Sequence, residues 1–169
     1  PLIKSLSLFI EVHGWLMYNK LYTERGDETM KKIAFVCLGN ICRSPMAEFV
    51  MKSLTDQIYI ESRATSNWEH GNPIHRGTRN IFKEYGIDYD ADKRSIPLSK
   101  ADFYDFDYLI GMDEQNVRDM QAVAPADCQD KILLFDKDGV PDPYYTGHFE
   151  ATYQQVTKGC QDWINFLKK

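Results

Sequence analysis

Four short runs of consecutive apolar residues dominate this chain, and each is followed by a segment with helical spacing. The runs are Ile33-Ala-Phe-Val-Cys37, Ile58-Tyr-Ile60, Asp107-Tyr-Leu-Ile-Gly-Met112 and Lys131-Ile-Leu-Leu-Phe135. A strand that is apolar on consecutive residues must bury both faces, as strands of a covered parallel sheet do. Between the runs, Met46, Phe49, Val50 and Leu54 recur at helical intervals, with Pro45 as a first helical residue and Ser44 as its N-cap. Ile81, Phe82 and Tyr85 mark a helix that Gly86 stops, and Asp113 to about Met120 marks another. Phe149, Tyr153, Val156, Cys160, Trp163 and Leu167 trace one stripe along a closing helix. Residues 62–77 read as a long polar loop. The pattern predicts a three-layer α/β fold: a doubly wound, four-stranded parallel sheet with helices on both faces.

Residues 30–169 carry this pattern as a single domain, without internal repeat or linker. Residues 1–29 stand apart. Leu6–Tyr18 is apolar but broken by Glu11, His13 and Gly14, and Thr23–Thr29 is polar and unpatterned, ahead of a Met30 placed like a start. The expectation is that 1–29 is an upstream extension foreign to the native protein; a docked N-terminal helix is the alternative. No stretch reaches the eighteen apolar residues of a membrane span. The net charge of −5 gives no field that draws nucleic acid, so an anionic substrate must be held by a local site. Four cysteines, Cys37, Cys42, Cys128 and Cys160, are too few and too irregular for a disulfide scaffold, and point to a reducing, cytoplasmic setting. The four histidines show no ligand spacing, so neither metal nor cofactor is expected.

In a doubly wound sheet, ligands bind beyond the carboxyl ends of the strands. The first such end is Val36-Cys37-Leu38-Gly39-Asn40-Ile41-Cys42-Arg43-Ser44-Pro45. A loop this short between strand and helix can turn its N–H groups inward as an anion nest. The helix N-terminus adds partial positive charge, and Arg43 adds a planar two-pronged donor. A tetrahedral oxyanion such as phosphate suits residues Leu38 to Ser44. The same donors favour a thiolate at Cys37 and set a nucleophile against phosphorus.

Cys-x5-Arg-Ser in this fuller string resembles the phosphate loop of the low-molecular-weight protein tyrosine phosphatases. Asp142-Pro143-Tyr144-Tyr145, about a hundred residues on, resembles that family's general-acid motif, and the likeness spans residues 30–169. The resemblance implies Cys37 as the nucleophile that becomes phosphocysteine, Arg43 as phosphate ligand, and Asp142 as the acid that protonates the leaving phenolate and then activates water. It implies that Asn40 braces the loop, that Ser44 stabilises the thiolate, that Trp68, Tyr144 and Tyr145 flank the substrate ring, and that Asp113 supports the network. Cys42 resembles a redox guard that captures oxidised Cys37 as a disulfide. Many animal members carry a histidine in the stretch matching Asp88 to Arg94, which this chain lacks, and Arg94 to Asp102 is slightly long. Neither departure is expected to touch the loop or the acid. Implied partners are phosphotyrosine proteins, with a tyrosine kinase among the candidates; a monomer or weak homodimer is expected.

Cys128 reads as a loop thiol and Cys160 as packing on its apolar stripe. Three rival functions use the same loop. Thioredoxin-coupled arsenate reduction needs two more cysteines close together, and Cys128 and Cys160 are far apart in sequence. Protein-arginine phosphatases of this fold carry Thr where Ile41 stands, and an apolar Ile suits an aromatic ester better than a guanidinium. A non-enzymatic phosphotyrosine-binding module would lack the nucleophile or the acid, and both are here.

Overall fold

A computed structural model describes residues 30–168. The expectation for residues 1–29 falls outside them. Lys31–Lys169 forms one compact unit.

The four apolar runs become β1 (Lys31–Cys37), β2 (Ile58–Ala64), β3 (Tyr108–Gly111) and β4 (Ile132–Leu134). They pair in parallel in the order β2-β1-β3-β4. β1 is central because its Ile33–Cys37 run is apolar enough to be covered on both faces. Ile33, Phe35 and Cys37 face one core with Met46, Val50, Val156 and Cys160. Ala34 and Val36 face the other with Phe103, Leu109, Met120 and Cys128. Helices α1 (Arg43–Leu54), α2 (Arg76–Tyr85) and α6 (Phe149–Leu167) supply the first layer, and α4 (Glu114–Val123) with a 3-10 turn at Ala126–Lys131 supplies the second. Two single-turn helices, α3 (Asp102–Asp105) and α5 (Pro143–Thr146), complete the elements. This is the doubly wound three-layer architecture that the strand pattern predicts.

Several local features differ from the sequence reading. β2 runs on through Ala64, because Ser62 and Ala64 point inward and are buried despite a polar neighbourhood. The polar segment after it is therefore shorter than residues 62–77. Helix α1 begins at Arg43, with Cys42 at the cap position and no side-chain cap. Ser44 is not the N-cap: its hydroxyl is drawn to the Cys37 sulfur instead. Cys128 is no loop thiol but a core residue, 1% exposed, because the 3-10 turn folds it under the sheet. Cys160 packs as expected, with its thiol donating to the Ala47 carbonyl.

The sheet order places a reversal at β1. The chain leaves β1 for β2 on one side, then crosses to β3 on the other, so the loops after β1 and β3 diverge and leave a crevice between them.

Candidate active site

The loop after β1 is shaped by what its carbonyls do. Leu38 O accepts from Ser66 N and Ser66 Oγ at 3.1 and 2.9 Å. Gly39 O accepts from Ser95 Oγ at 2.8 Å, Ile41 O from His75 N at 2.9 Å, and Cys42 O from Met46 N at 3.1 Å. With these carbonyls tied to outer elements, the N–H groups are left to the inside. Those of Gly39, Ile41, Cys42, Arg43 and Ser44 have no acceptor among the described residues. Asn40 makes the turn by adopting φ 53°, a left-handed conformation that Asn tolerates better than most residues. Its N–H points to Cys37 Sγ at 3.3 Å.

Beneath the sulfur runs a buried polar chain. Ser44 Oγ lies 3.1 Å from Cys37 Sγ. Asn40 Nδ2 donates to Ser44 Oγ and to Ser62 Oγ, both at 2.8 Å, and Ser62 Oγ donates to Glu48 Oε2 at 2.5 Å. Glu48 is 3% exposed, and Lys52 and Lys93 neutralise it at 2.6 and 3.1 Å. Lys93 comes from the Asp88 to Arg94 stretch, which holds no histidine. That stretch bears on the loop, through Glu48 and Ser62. So does the segment that follows, since Ser95 holds Gly39 and Ile96 N donates to Asn40 Oδ1 at 3.0 Å. The expectation that neither touches the loop is corrected: Ser95 and Ile96 place their hydrogen bonds on the loop's outer edge. Glu48, Ser62, Lys93 and Ser95 escape sequence reading because the contacts that join them to the loop lie fourteen or more residues away in the chain. Only a charged residue on the buried face of α1 hinted at them.

Arg43 is 3% exposed and held by two carboxylates. One terminal nitrogen donates to Asp113 Oδ2 at 2.5 Å and to Val140 O at 3.1 Å; the other donates to Asp142 Oδ2 at 2.8 Å. Burial works against its charge, but Cys37, Asp142 and Asp113 more than offset this and hold the guanidinium above its ordinary value. Its Nε is buried with no partner among the described residues, a donor still unspent. Asp113 sits beyond β3 as the N-cap of α4, its Oδ1 accepting from Asn116 N. Asp142 caps α5, its Oδ1 accepting from Tyr144 N at 3.0 Å while Oδ2 faces Arg43. One carboxylate thus fixes the turn and meets the arginine at once.

An open-mouthed cleft of about 390 Å³ stands over the loop, lined by Cys37, Ile41, Trp68, Asp142, Tyr144 and Tyr145 among others. Trp68 is 77% exposed at its rim, whereas Cys37 is 3% exposed at its floor. His75 joins floor and wall: its ring stacks on Phe149 and meets Tyr144 edge-on, while its N–H holds Ile41 O. Burial pushes the Cys42 thiol up, and the charges of Cys37 and Asp142 add to this. All the site residues read from the sequence therefore gather here: Cys37 to Ser44, Trp68, Asp113, Asp142, Tyr144 and Tyr145. Glu69 and Ser66 also line the cleft and had no sequence signal. Among the described residues no His, Cys, Asp or Glu cluster could hold a metal.

Residues 32–169 match the family model described as low molecular weight phosphotyrosine protein phosphatase. The chain is 42% identical over 150 residues to the low molecular weight protein-tyrosine-phosphatase PtpA of Staphylococcus saprophyticus, covering 83% of this chain and 96% of the relative. Among solved structures, a low molecular weight protein tyrosine phosphatase from Streptococcus pyogenes superposes with a TM-score of 0.80 at 58% identity, covering 82% of this chain and 93% of the other. YfkJ from Bacillus subtilis superposes with a TM-score of 0.78 at 36% identity, covering 85% and 98%.

Proposed function

Since the chain belongs to the low molecular weight phosphotyrosine protein phosphatase family, and is on that ground a phosphatase acting on phosphotyrosine proteins, we propose that it works through a phosphocysteine formed on Cys37. Cys37 Sγ attacks phosphorus as the P–O bond to the tyrosine breaks, and Asp142 gives its proton to the departing phenolate. Water then attacks phosphorus and gives a proton to the Asp142 carboxylate. The P–S bond breaks, releasing phosphate and restoring the sulfur anion. The transferring group spreads negative charge over three oxygens, and fixed donors that await that charge need no rearrangement at the moment of transfer. The inward N–H groups of Gly39, Ile41, Cys42, Arg43 and Ser44 and the unspent Nε of Arg43 are such donors. The Ser44 hydroxyl, the Asn40 N–H and the N-terminus of α1 stabilise an anionic sulfur.

One observation carries this reading: the carbonyls of Leu38, Gly39 and Ile41 are spent outward while Cys37, Arg43 and Asp142 meet at the loop. The depth of the cleft supports an aryl ester, because a phosphate that reaches Cys37 past Trp68, Tyr144 and Tyr145 needs a long arm. Arsenate relay is disfavoured: Cys128 and Cys160 lie in the separate cores on opposite faces of the sheet. Ile41 on the cleft wall favours an aromatic ring over phosphoarginine. Four free thiols suit the cytoplasm, and Cys42 serves as guard for Cys37.

Turnover of p-nitrophenyl phosphate and a phosphotyrosine peptide by wild type and Cys37→Ser tests this. Acid-quenched wild type should carry phosphate on Cys37. The variant should lose turnover yet still bind vanadate through Arg43 and the backbone. Substantial turnover by Cys37→Ser would overturn the assignment.

A further inference from the structure

The cleft contains a carboxylate that the chemistry above leaves unused. Glu69 is half-buried beside Trp68, and a Cβ added at Gly39 would lie 3.0 Å from its Cγ, so this side chain lies directly against the phosphate loop. Its Oε2 accepts from Asn72 Nδ2 at 2.6 Å, and its own carbonyl accepts from Asn72 N at 2.8 Å. The surrounding turn is fastened at both ends. Ser66 holds Leu38 O, and Gly71 N donates to the carbonyl of Ser95, whose hydroxyl holds Gly39 O. The Glu69 charge is therefore positioned in the cleft.

Among the described residues no lysine or arginine lines that cleft; its carboxyl groups are Glu69 and the proton donor Asp142. Arg76, Arg79 and Lys83 line a separate hollow on α2. Once a phosphotyrosine dianion is matched by Arg43 and the loop N–H groups, the charge left over at the rim is negative. The same rim presents the exposed rings of Trp68, Tyr144 and Tyr145. A carboxylate set among aromatic faces is an environment for an organic cation, through charge pairing and the ring quadrupoles.

We propose that Glu69 and Trp68 form a subsite for a lysine or arginine side chain next to the phosphotyrosine, so that the enzyme selects basic phosphotyrosine segments over acidic ones. This rests on the phosphotyrosine reading of the cleft. A partly exposed ion pair and one cation–ring contact together correspond to a preference of roughly 3- to 10-fold.

The test compares kcat/KM for phosphotyrosine peptides identical except for Lys/Arg, Ala or Glu at the flanking positions, at low and high salt. Glu69→Gln keeps an acceptor for Asn72 and removes the charge. Wild type should favour the basic peptide over the alanine peptide by about 3- to 10-fold and over the acidic one by more, and salt should shrink the gap. In Glu69→Gln the ratio should fall below about twofold, whatever happens to absolute rates, and Glu69→Lys should invert it. Equal kcat/KM across the peptides in wild type, or a preference surviving in Glu69→Gln, would overturn the subsite. An enzyme that hydrolyses p-nitrophenyl phosphate through Cys37 but treats the peptides alike loses the subsite and keeps its chemistry. A protein without Cys37-dependent hydrolysis loses both.

Discussion

Asp142 divides its two oxygens between a backbone N–H at the start of α5 and the Arg43 guanidinium, so its direction is set before any substrate arrives. If Asp142 is the general acid proposed above, it should matter in proportion to how badly the leaving oxygen needs a proton. Asp142→Ala should lower kcat for phosphotyrosine by roughly 10²–10⁴, the usual share of acid–base catalysis. The loss should shrink when the leaving phenol is strongly acidic. Pre-steady-state release of a series of phenols measures this; an equal loss across the series would make the carboxylate structural and turn attention to Asp113. Cys42 makes a second residue-scale case. It is 3% exposed, and burial keeps it a neutral thiol. Capture of a Cys37 sulfenic acid needs the thiolate of Cys42, so closure of a disulfide should quicken as pH rises. Wild type treated with peroxide should recover activity under reductant, more fully at higher pH, and Cys42→Ser should recover far less. Equal recovery would reduce Cys42 to packing.

Two glycines separate elements that only hold the fold from elements that also shape the site. At Gly159 in α6, a Cβ would fall 2.4 Å from the Phe135 ring; at Gly77 in α2, it would fall 2.4 Å from the Phe149 ring. Either alanine must push an aromatic ring aside, at a cost of about 1–3 kcal/mol. In a domain of this size that lowers Tm by roughly 2–10 °C. The consequences then differ. Phe135 packs edge-on against Phe35 in the core, so Gly159→Ala should leave turnover near the wild-type level. Phe149 stacks on His75, which meets Tyr144 and holds Ile41 O, so Gly77→Ala should also change kcat/KM for phosphotyrosine. Thermal melts and peptide kinetics on the two variants check the contrast. Such couplings mark where sequence reading stops. β1 and its loop are legible because Ile33 to Cys37 is a continuous apolar run and Arg43 follows at fixed spacing. The stripe from Phe149 to Leu167 is legible for the same local reason. Ser44 is misplaced as a cap because its true partner is a sulfur seven residues back. Ser95, Lys93 and Glu69 are invisible because each meets a segment about thirty or more residues away.

At the scale of the whole molecule, the sheet order does the positioning. With β1 between β2 and β3, the loop after β1, Asp113 beyond β3 and Asp142 beyond β4 all converge on one edge of the sheet. Arg43 then ties the three together from its place at the start of α1. Among the described residues, every strand, both apolar cores and each of these side chains lie between Lys31 and Leu167. Among the described residues, the central strand pairs with β2 from Lys31 onward, so the packing and the site described above are built from this body's own residues. A protein beginning at Met30 should therefore fold cooperatively, melt within about 2 °C of the full chain, a shift of under roughly 1 kcal/mol, and retain kcat/KM for a phosphotyrosine peptide within about twofold. Side-by-side melts and kinetics of the two proteins decide the matter. A markedly lower melting point would show that residues 1–29 contribute to the stability of the body. An unchanged melting point with altered peptide kinetics would show that they act on substrate access instead.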